Sequence, residues 1–269
     1  MGTAITLDVV DPPDGVDVDE LSRSVFEWFT EVDARFSTFK ADSEVSRLGG
    51  GEVAASDMSP DMRHVLDACD VLRSETNGYF DAYATGSLDP SGYVKGWSVQ
   101  VASDRLLAAG IPNHCVNAGG DIRVRGHGPD GTAWRIGIRH PWQKLKVAWV
   151  LVGDDLAIAT SGTYERGFHV IDPYRGVPAV DLASVTVVGA DLARADAYAT
   201  AAVAMGSRAL DWLARLAGHE CAVVTSDGAA FTSPGLPVVP ADEIGEAPST
   251  GAGSTGVIGA DGTEGPPVY

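Results

Sequence analysis

In the run Arg194-Ala-Asp-Ala-Tyr-Ala-Thr200, Asp196 and Thr200 stand four residues apart among apolar neighbours. On a helix that spacing puts a carboxylate and a hydroxyl on one face. Hard oxygen donors of this kind suit Mg²⁺, which takes one or two protein carboxylates together with substrate phosphates. The chemistry implied is phosphate handling. An Asp near a helix start more often caps the helix or answers its dipole, so the pair needs support from elsewhere in the chain.

Three further clusters offer that support. Asn117-Ala-Gly-Gly-Asp121 lies between apolar segments. Its paired glycines, Gly119 and Gly120, permit positive backbone dihedrals and close approach of a pyrophosphate to main-chain amides, or else a tight strand-connecting turn. The pattern is neither a Walker loop nor a Rossmann fingerprint. In Leu88-Asp-Pro-Ser-Gly-Tyr-Val-Lys-Gly-Trp97, Lys95 falls at an expected helix start, where its charge opposes the helix dipole. A bound anion would compensate it, and a solvent-facing lysine would need no compensation. Thr160, Ser161 and Thr163 are hydroxyls at the end of an apolar strand, followed by His169 just before the turn Asp172-Pro173. Histidine is the side chain best suited to take a proton near neutral pH, and a histidine beside a turn also serves as a structural hydrogen bonder.

The rest of the chain must position these groups. Its 269 residues are 45% hydrophobic, enough for a sizeable core, and 37 acidic against 19 basic residues leave a net charge of -18. That balance excludes nucleic-acid binding through a general basic surface, so an anionic ligand needs a local device. The cysteines Cys69, Cys115 and Cys221 are odd in number, widely spaced and set in apolar runs, which reads as buried free thiols. No basic, apolar leader pattern opens the chain, and no run approaches the roughly 18 apolar residues of a membrane span. A cytoplasmic protein without membrane insertion is expected.

Thr3 to Val10 alternates as a strand does, and Leu21, Val25, Trp28, Phe29, Val32 and Phe36 recur at helical spacing, as core. Ser59-Pro60 starts a second helix, with Ser59 as N-cap and Pro60 at the first helical position. A third helix is predicted from about Lys95 to Ala109, then a strand through His114 to Asn117. A meander of strands is predicted from Ile122 to Thr160, another strand over Ser184 to Val188, and one long helix or two joined near Gly206-Ser207 from Ala193 to about Leu216. Cys221 to Thr225 is expected to close the sheet. The fold class is therefore α+β, with a mixed, largely antiparallel sheet and packed helices. From Pro240 the composition turns to Gly, Ser, Thr, Pro and acids, a flexible tail with a docking strand at Val257-Ile258 as an option.

Taken in order, these segments resemble one family, the ApbE-type FAD:protein FMN transferases. The resemblance runs from about residue 1 to residue 206, through Met1-Gly-Thr, Phe36-Ser-Thr-Phe-Lys, Ser43-Glu-Val-Ser-Arg47, Gly78-Tyr-Phe-Asp81 and Asp89 to Gly96. It continues in Asn117 to Asp121, Thr160-Ser-Gly162, His169-Val-Ile-Asp-Pro173 and Ala195-Asp196 to Thr200. It implies a flavin transferase domain over 1–239 and a tail over 240–269. The implied activity is Mg²⁺-dependent transfer of the FMN half of FAD to a Ser or Thr hydroxyl of an acceptor protein carrying a flavinylation motif, with release of AMP. By the same resemblance Asp196, Thr200 and the main-chain carbonyl of Gly92 are metal ligands. Met1, Phe39, Tyr79, Phe80, Asp81, Asp89, Lys95 and Ile171 belong to the FAD site, joined by Asn117, Gly119, Gly120, Ser161 and Gly162. For catalysis Lys95 is expected to add a positive contact, and His169 is the candidate for taking the proton of the acceptor hydroxyl. Phe39 departs from the tyrosine that relatives often carry there, keeping a ring to stack and losing a hydroxyl. Two other activities fit the same residues: an FAD pyrophosphatase giving FMN and AMP, and a non-catalytic FAD carrier.

Overall fold

In the computed structural model, the described residues are 3–143, 145–162, 170–239 and, as backbone, 255–257. Met1, Thr163 and His169, and nearly all of the tail, lie outside them.

Strand β1 (Ile5–Val9) is followed by three helices, α1 (Val18–Phe36), α2 (Glu44–Gly49) and α3 (Pro60–Glu75), and then by α4 (Ser91–Ala108). Strands β2 (His114–Ala118) and β3 (Asp121–Arg125) form a hairpin, β4 (Trp134–Arg139) and β5 (Val147–Gly153) a second, and β6 (Asp155–Gly162) returns to the first. Short strands β7 (Ile171–Asp172) and β8 (Val177–Pro178) precede β9 (Leu182–Gly189), α5 (Leu192–Met205), α6 (Ala209–Leu213), β10 (Glu220–Thr225), β11 (Ala230–Thr232) and β12 (Thr255–Val257). The main sheet has eight strands in the order β1-β2-β3-β6-β9-β10-β11-β12. Every pairing is antiparallel except β11 with β12.

Both faces of the sheet centre are covered, which is why β9 is buried over seven successive residues instead of alternating. Ala157, Ala159, Val185, Val187 and Val223 point into the core shared with α1, α4 and α5. Their neighbours Ile158, Val188 and Ala222 face the other way, onto Ile138 and Leu151 of the β4–β5 hairpin. That hairpin corrects the expected meander: β3 pairs with β6, and β4–β5 leaves the sheet to become a two-stranded layer on its back. The apolar pattern of β4 and β5 was satisfied by packing on the sheet's face as well as it would have been by joining it.

Helix α5 is buried nearly all round, as an alanine-rich helix at the centre of a domain must be. Helix α3 starts where Ser59 accepts the Met62 N–H at 3.2 Å. Helix α1 buries Val25, Trp28, Phe29, Val32 and Phe36, with Trp28 edge-on to Trp97 of α4 at 5.2 Å. Two element boundaries differ from those expected, the start of α4 and the end of the sheet. Helix α4 begins at Ser91, a turn before Lys95, because Asp89 Oδ1 accepts the Ser91 N–H at 3.0 Å and settles an end that sequence read as a loop. Of the two readings of 193–216, two helices is the one observed: the chain breaks at Gly206 (φ +63) into α5 and α6. The sheet does not close at β10, since β11 and β12 extend it. Short α2, capped by Ser43, was not anticipated. The three cysteines are free and buried, and burial pushes the thiols of Cys69 and Cys115 up to about 12 and that of Cys221 to about 11.

Candidate active site

The start of α4 and the middle of α5 press together because α4 carries glycine at the contact. A Cβ at Gly96 would stand 2.5 Å from the Leu192 carbonyl oxygen and 2.7 Å from Asp196 Cβ. One turn earlier, a Cβ at Gly92 would stand 3.2 Å from Thr200 Cγ2 and from the Phe80 ring. The two glycines, four apart on α4, thus face Asp196 and Thr200, four apart on α5. Asp196 Oδ2 accepts the Gly96 N–H at 2.9 Å, an N–H whose ordinary helical acceptor is the Gly92 carbonyl. Thr200 Oγ1 lies 3.2 Å from Ser161 Oγ at the end of β6.

The β2–β3 turn brings in a third element. Gly119 (φ +59) and Gly120 (φ +98) form a two-residue hairpin turn of the type that only such backbone angles allow. Asn117 Oδ1 accepts the Gly120 N–H at 3.0 Å, so its side chain tightens the turn. Of the two readings of Asn117-Ala-Gly-Gly-Asp121, the turn is the one observed, and Gly119 also reaches the cavity wall. The turn sets Asp121 opposite Ala118, fully buried, where it accepts from Lys95. Lys95 Nζ is also 3.6 Å from Asp196 Oδ1. The compensation expected for this lysine is therefore supplied by two protein carboxylates, and the side chain is only 20% exposed.

These groups open on one cavity of about 150 Å³. Asp89, Gly92, Lys95, Asp196, Thr200 and Ser161 meet in its wall, with Tyr79, Phe80, Gly119, Gly162 and Ile171 beside them. A ligand pocket for a dinucleotide spans several hundred Å³, so the cavity has room for only part of a ligand of that size. Lys95 is the one Lys or Arg among the described lining residues. Tyr79 stands at the rim with Tyr174 at 5.0 Å and the Arg208 guanidinium 5.5 Å from its ring, and Arg208 lies 3.7 Å from Asp172.

Other expected site residues lie apart. Phe39 is 98% exposed in the turn after α1 and does not line the cavity. Asp81 is beside it in sequence only, holding the Tyr83 N–H at 2.9 Å and facing Arg73 at 3.5 Å. Asn117 and Gly120 serve the turn and do not line the cavity. Met1 and His169 lie outside the described residues. Asp121 was singled out only as the end of a glycine motif. Its partnership with Lys95, 26 residues away, depends on sheet register and left no local signal.

The donors present are hard oxygens: the Asp196 carboxylate, the Thr200 hydroxyl and the Gly92 carbonyl. No cluster of three His, Cys, Asp or Glu side chains that could cage a metal occurs among the described residues. A cation held here would need oxygens from a substrate, which is the habit of Mg²⁺ at phosphate sites.

A family model described as the ApbE family matches residues 1–87 and 82–224. The chain belongs to the ApbE family. An ApbE relative, the FAD:protein FMN transferase of Vibrio cholerae serotype O1, is 28% identical, the match covering 77% of this chain and 79% of that protein. The FAD:protein FMN transferase of Rhodobacter capsulatus is 31% identical over 77% of this chain, which spans 38% of that protein. The solved structure of the flavin transferase ApbE from Vibrio cholerae matches with a TM-score of 0.77 at 26% identity, covering 87% of this chain and 94% of that one. The ApbE fold and the α+β class read from sequence are thus the same architecture.

Proposed function

We propose that this protein is an FAD:protein FMN transferase that joins the FMN half of FAD to a Ser or Thr hydroxyl of an acceptor protein and releases AMP, with Mg²⁺ bound. The observation that carries the proposal is the meeting of Lys95, Asp196, Thr200 and Gly92 in one open cavity of a chain whose net charge is otherwise -18. Membership of the ApbE family and relatives named for this activity support it.

In this reading Asp196, Thr200 and the Gly92 carbonyl hold the cation. When bound, Mg²⁺ supplies charge neutralisation at the pyrophosphate. Lys95 adds a fixed positive charge toward the phosphate that departs, in a site where water competes less than in bulk. The acceptor oxygen bonds to the FMN-side phosphorus, the bond from that phosphorus to the oxygen of the AMP phosphate breaks, and AMP leaves with its electron pair. The acceptor's proton goes to a base, and His169 is assigned that part from its chemistry and place in the family motif. Tyr79 offers a ring for a flat heterocycle at the rim. The acceptor is a protein presenting a short Ser/Thr-Gly-Ala-Ser/Thr segment, and both partners are placed in the cytoplasm.

The test is incubation of the purified protein with FAD and Mg²⁺, with and without such an acceptor, reading AMP release and the intact masses of both proteins. A mass gain of one FMN on the acceptor is expected. Free FMN with AMP and no adduct would make the protein a hydrolase, and FAD that stays intact would make it a carrier.

A further inference from the structure

Tyr174 is 66% exposed, yet it is held at both ends. Its backbone N–H donates to Asp172 Oδ1 at 2.9 Å, and its hydroxyl donates to the Asn77 carbonyl, 97 residues away in the chain. Room for that hydroxyl comes from Gly78 (φ +81), where a Cβ would stand 3.1 Å from it. The second oxygen of the buried Asp172 carboxylate, Oδ2, lies 3.7 Å from the Arg208 guanidinium just beyond α5. Segments 76–80, 172–176 and 206–208 are thus tied together, and the last two each bring a group to the Tyr79 ring. The Tyr174 ring is 5.0 Å from it between centroids, tilted by 57°, and the Arg208 guanidinium is 5.5 Å from its centroid. Ion pairs and cation–π contacts at exposed positions add little to stability. Their effect falls on the ring they share, and of the three side chains only Tyr79 lines the cavity.

We infer that Tyr174 and Arg208 are positioning residues that clasp the Tyr79 ring as an aromatic wall for one of the two flat heterocycles of FAD; this rests on the function proposed above. A tyrosine at a rim, left to itself, moves among several staggered rotamers. A ligand packing against it must first freeze that motion, and the loss weakens binding. In this protein the freezing is done before the ligand arrives. Tyr174 is anchored through its hydroxyl and its backbone, so its ring is a fixed neighbour. Arg208 attracts the Tyr79 ring through the ring's quadrupole while Asp172 answers its charge. Neither residue lines the cavity, so both act through Tyr79.

The test is calorimetric titration with FMN, ADP and inorganic pyrophosphate, each with Mg²⁺, alongside thermal melting. Tyr174→Leu and Arg208→Met are each expected to weaken either FMN or ADP about three- to tenfold, the cost of immobilising one side chain. Pyrophosphate, which has no ring, should bind as before, and the ligand that weakens names the heterocycle lying on Tyr79. In a Tyr79→Leu background that ligand is already weakened, and neither change should weaken it further by more than about twofold. Loss of the Arg208 charge acting directly on the ligands would instead weaken all three, with or without the Tyr79 ring. A merely structural role would lower the melting temperature and weaken all three in like proportion. Either pattern, or unchanged affinities, overturns the inference. Should Tyr174→Leu not fold, Tyr174→Phe removes only the bond to Asn77 and gives the same test in smaller measure. FMN transfer by the unmodified protein with unchanged affinities in the variants would end the inference and leave the function standing. The stated pattern with no FMN reaching an acceptor would end the transfer and leave the clasp. An unmodified protein that binds neither FMN nor ADP overturns both.

Discussion

Replacing Gly96 by alanine sets two effects of opposite sign against each other. In a helix interior alanine is favoured over glycine by about 1 kcal/mol, so Gly96→Ala would stabilise an isolated α4. In the folded protein the new methyl would stand 2.5 Å from the Leu192 carbonyl oxygen, whereas ordinary contact begins near 3.4 Å, so α4 and α5 must part by about 0.9 Å. The obstacle is helix backbone, which cannot rotate aside as a side chain would. Overpacking of this kind costs about 1–3 kcal/mol, and a rigid obstacle belongs at the upper end. The net expectation is destabilisation by about 1–2 kcal/mol, a fall in Tm of about 2–8 °C for a domain of this size. The same separation would stretch the bond from Gly96 N–H to Asp196 Oδ2, now 2.9 Å, beyond hydrogen-bond range. Since a shift of about 1 Å at a reacting site can cost about a hundredfold in rate, AMP release from FAD should fall further than stability does. Thermal unfolding followed by circular dichroism and an AMP assay at 25 °C would measure both. A Gly96→Ala protein that melts higher and releases AMP at the original rate would refute the claim that close helix contact sets the site.

Asp196→Asn keeps an acceptor for the Gly96 N–H and removes a charge, so cation-dependent AMP release should drop at least about a hundredfold, by analogy with other losses of fixed charge in catalysis, with the far-ultraviolet spectrum unchanged. His114 is buried and neutral: its Nδ1–H donates to the Ile111 carbonyl at 2.9 Å and Nε2 accepts from Ser103 at 2.7 Å, and burial lowers its pKa from 6.5 to about 4. Because the unfolded chain takes up this proton first, the contribution is complete above pH 6.5 and is lost as pH falls toward 4. It amounts to about 1.5 kcal/mol between pH 6.5 and pH 5, and urea unfolding of a His114→Asn variant at both pH values should show that slope removed. Cys69, Cys115 and Cys221 should resist a thiol reagent at pH 8 until the protein is unfolded; labelling of any of them at the rate of a free thiol would contradict their burial.

Much of this was legible from residue types because the signals were local. Helices α1 and α3 declare themselves by apolar spacing, and Ser59-Pro60 marks the start of α3 to the residue. Asp196 and Thr200 face one side of α5 by helical geometry alone. What could not be read is what depends on pieces far apart in the chain. The Lys95 charge is answered by Asp121, which is reached only through the β2–β3 turn. The β4–β5 hairpin has the alternation of a sheet member, and nothing within it tells that β6 will take the place beside β3. Asp89 reads as a loop residue because Pro90 separates it from the helix whose first N–H its side-chain Oδ1 accepts.

Strand β1 is made well before its partner β2, which begins at His114. Gly119 N–H donates to the Ala4 carbonyl at 3.1 Å, and Thr3 crowds the position where a Gly119 side chain would be. A ribosome adding about 5–20 residues per second therefore leaves β1 waiting some 5–20 s for the strand it must join, and far longer chain growth is needed before Asp196 appears. The cavity wall is thus assembled from both ends of a long stretch of synthesis. Nascent chains stalled between β1 and β2 would carry an apolar edge with no mate, the stage at which this protein has most need of a chaperone.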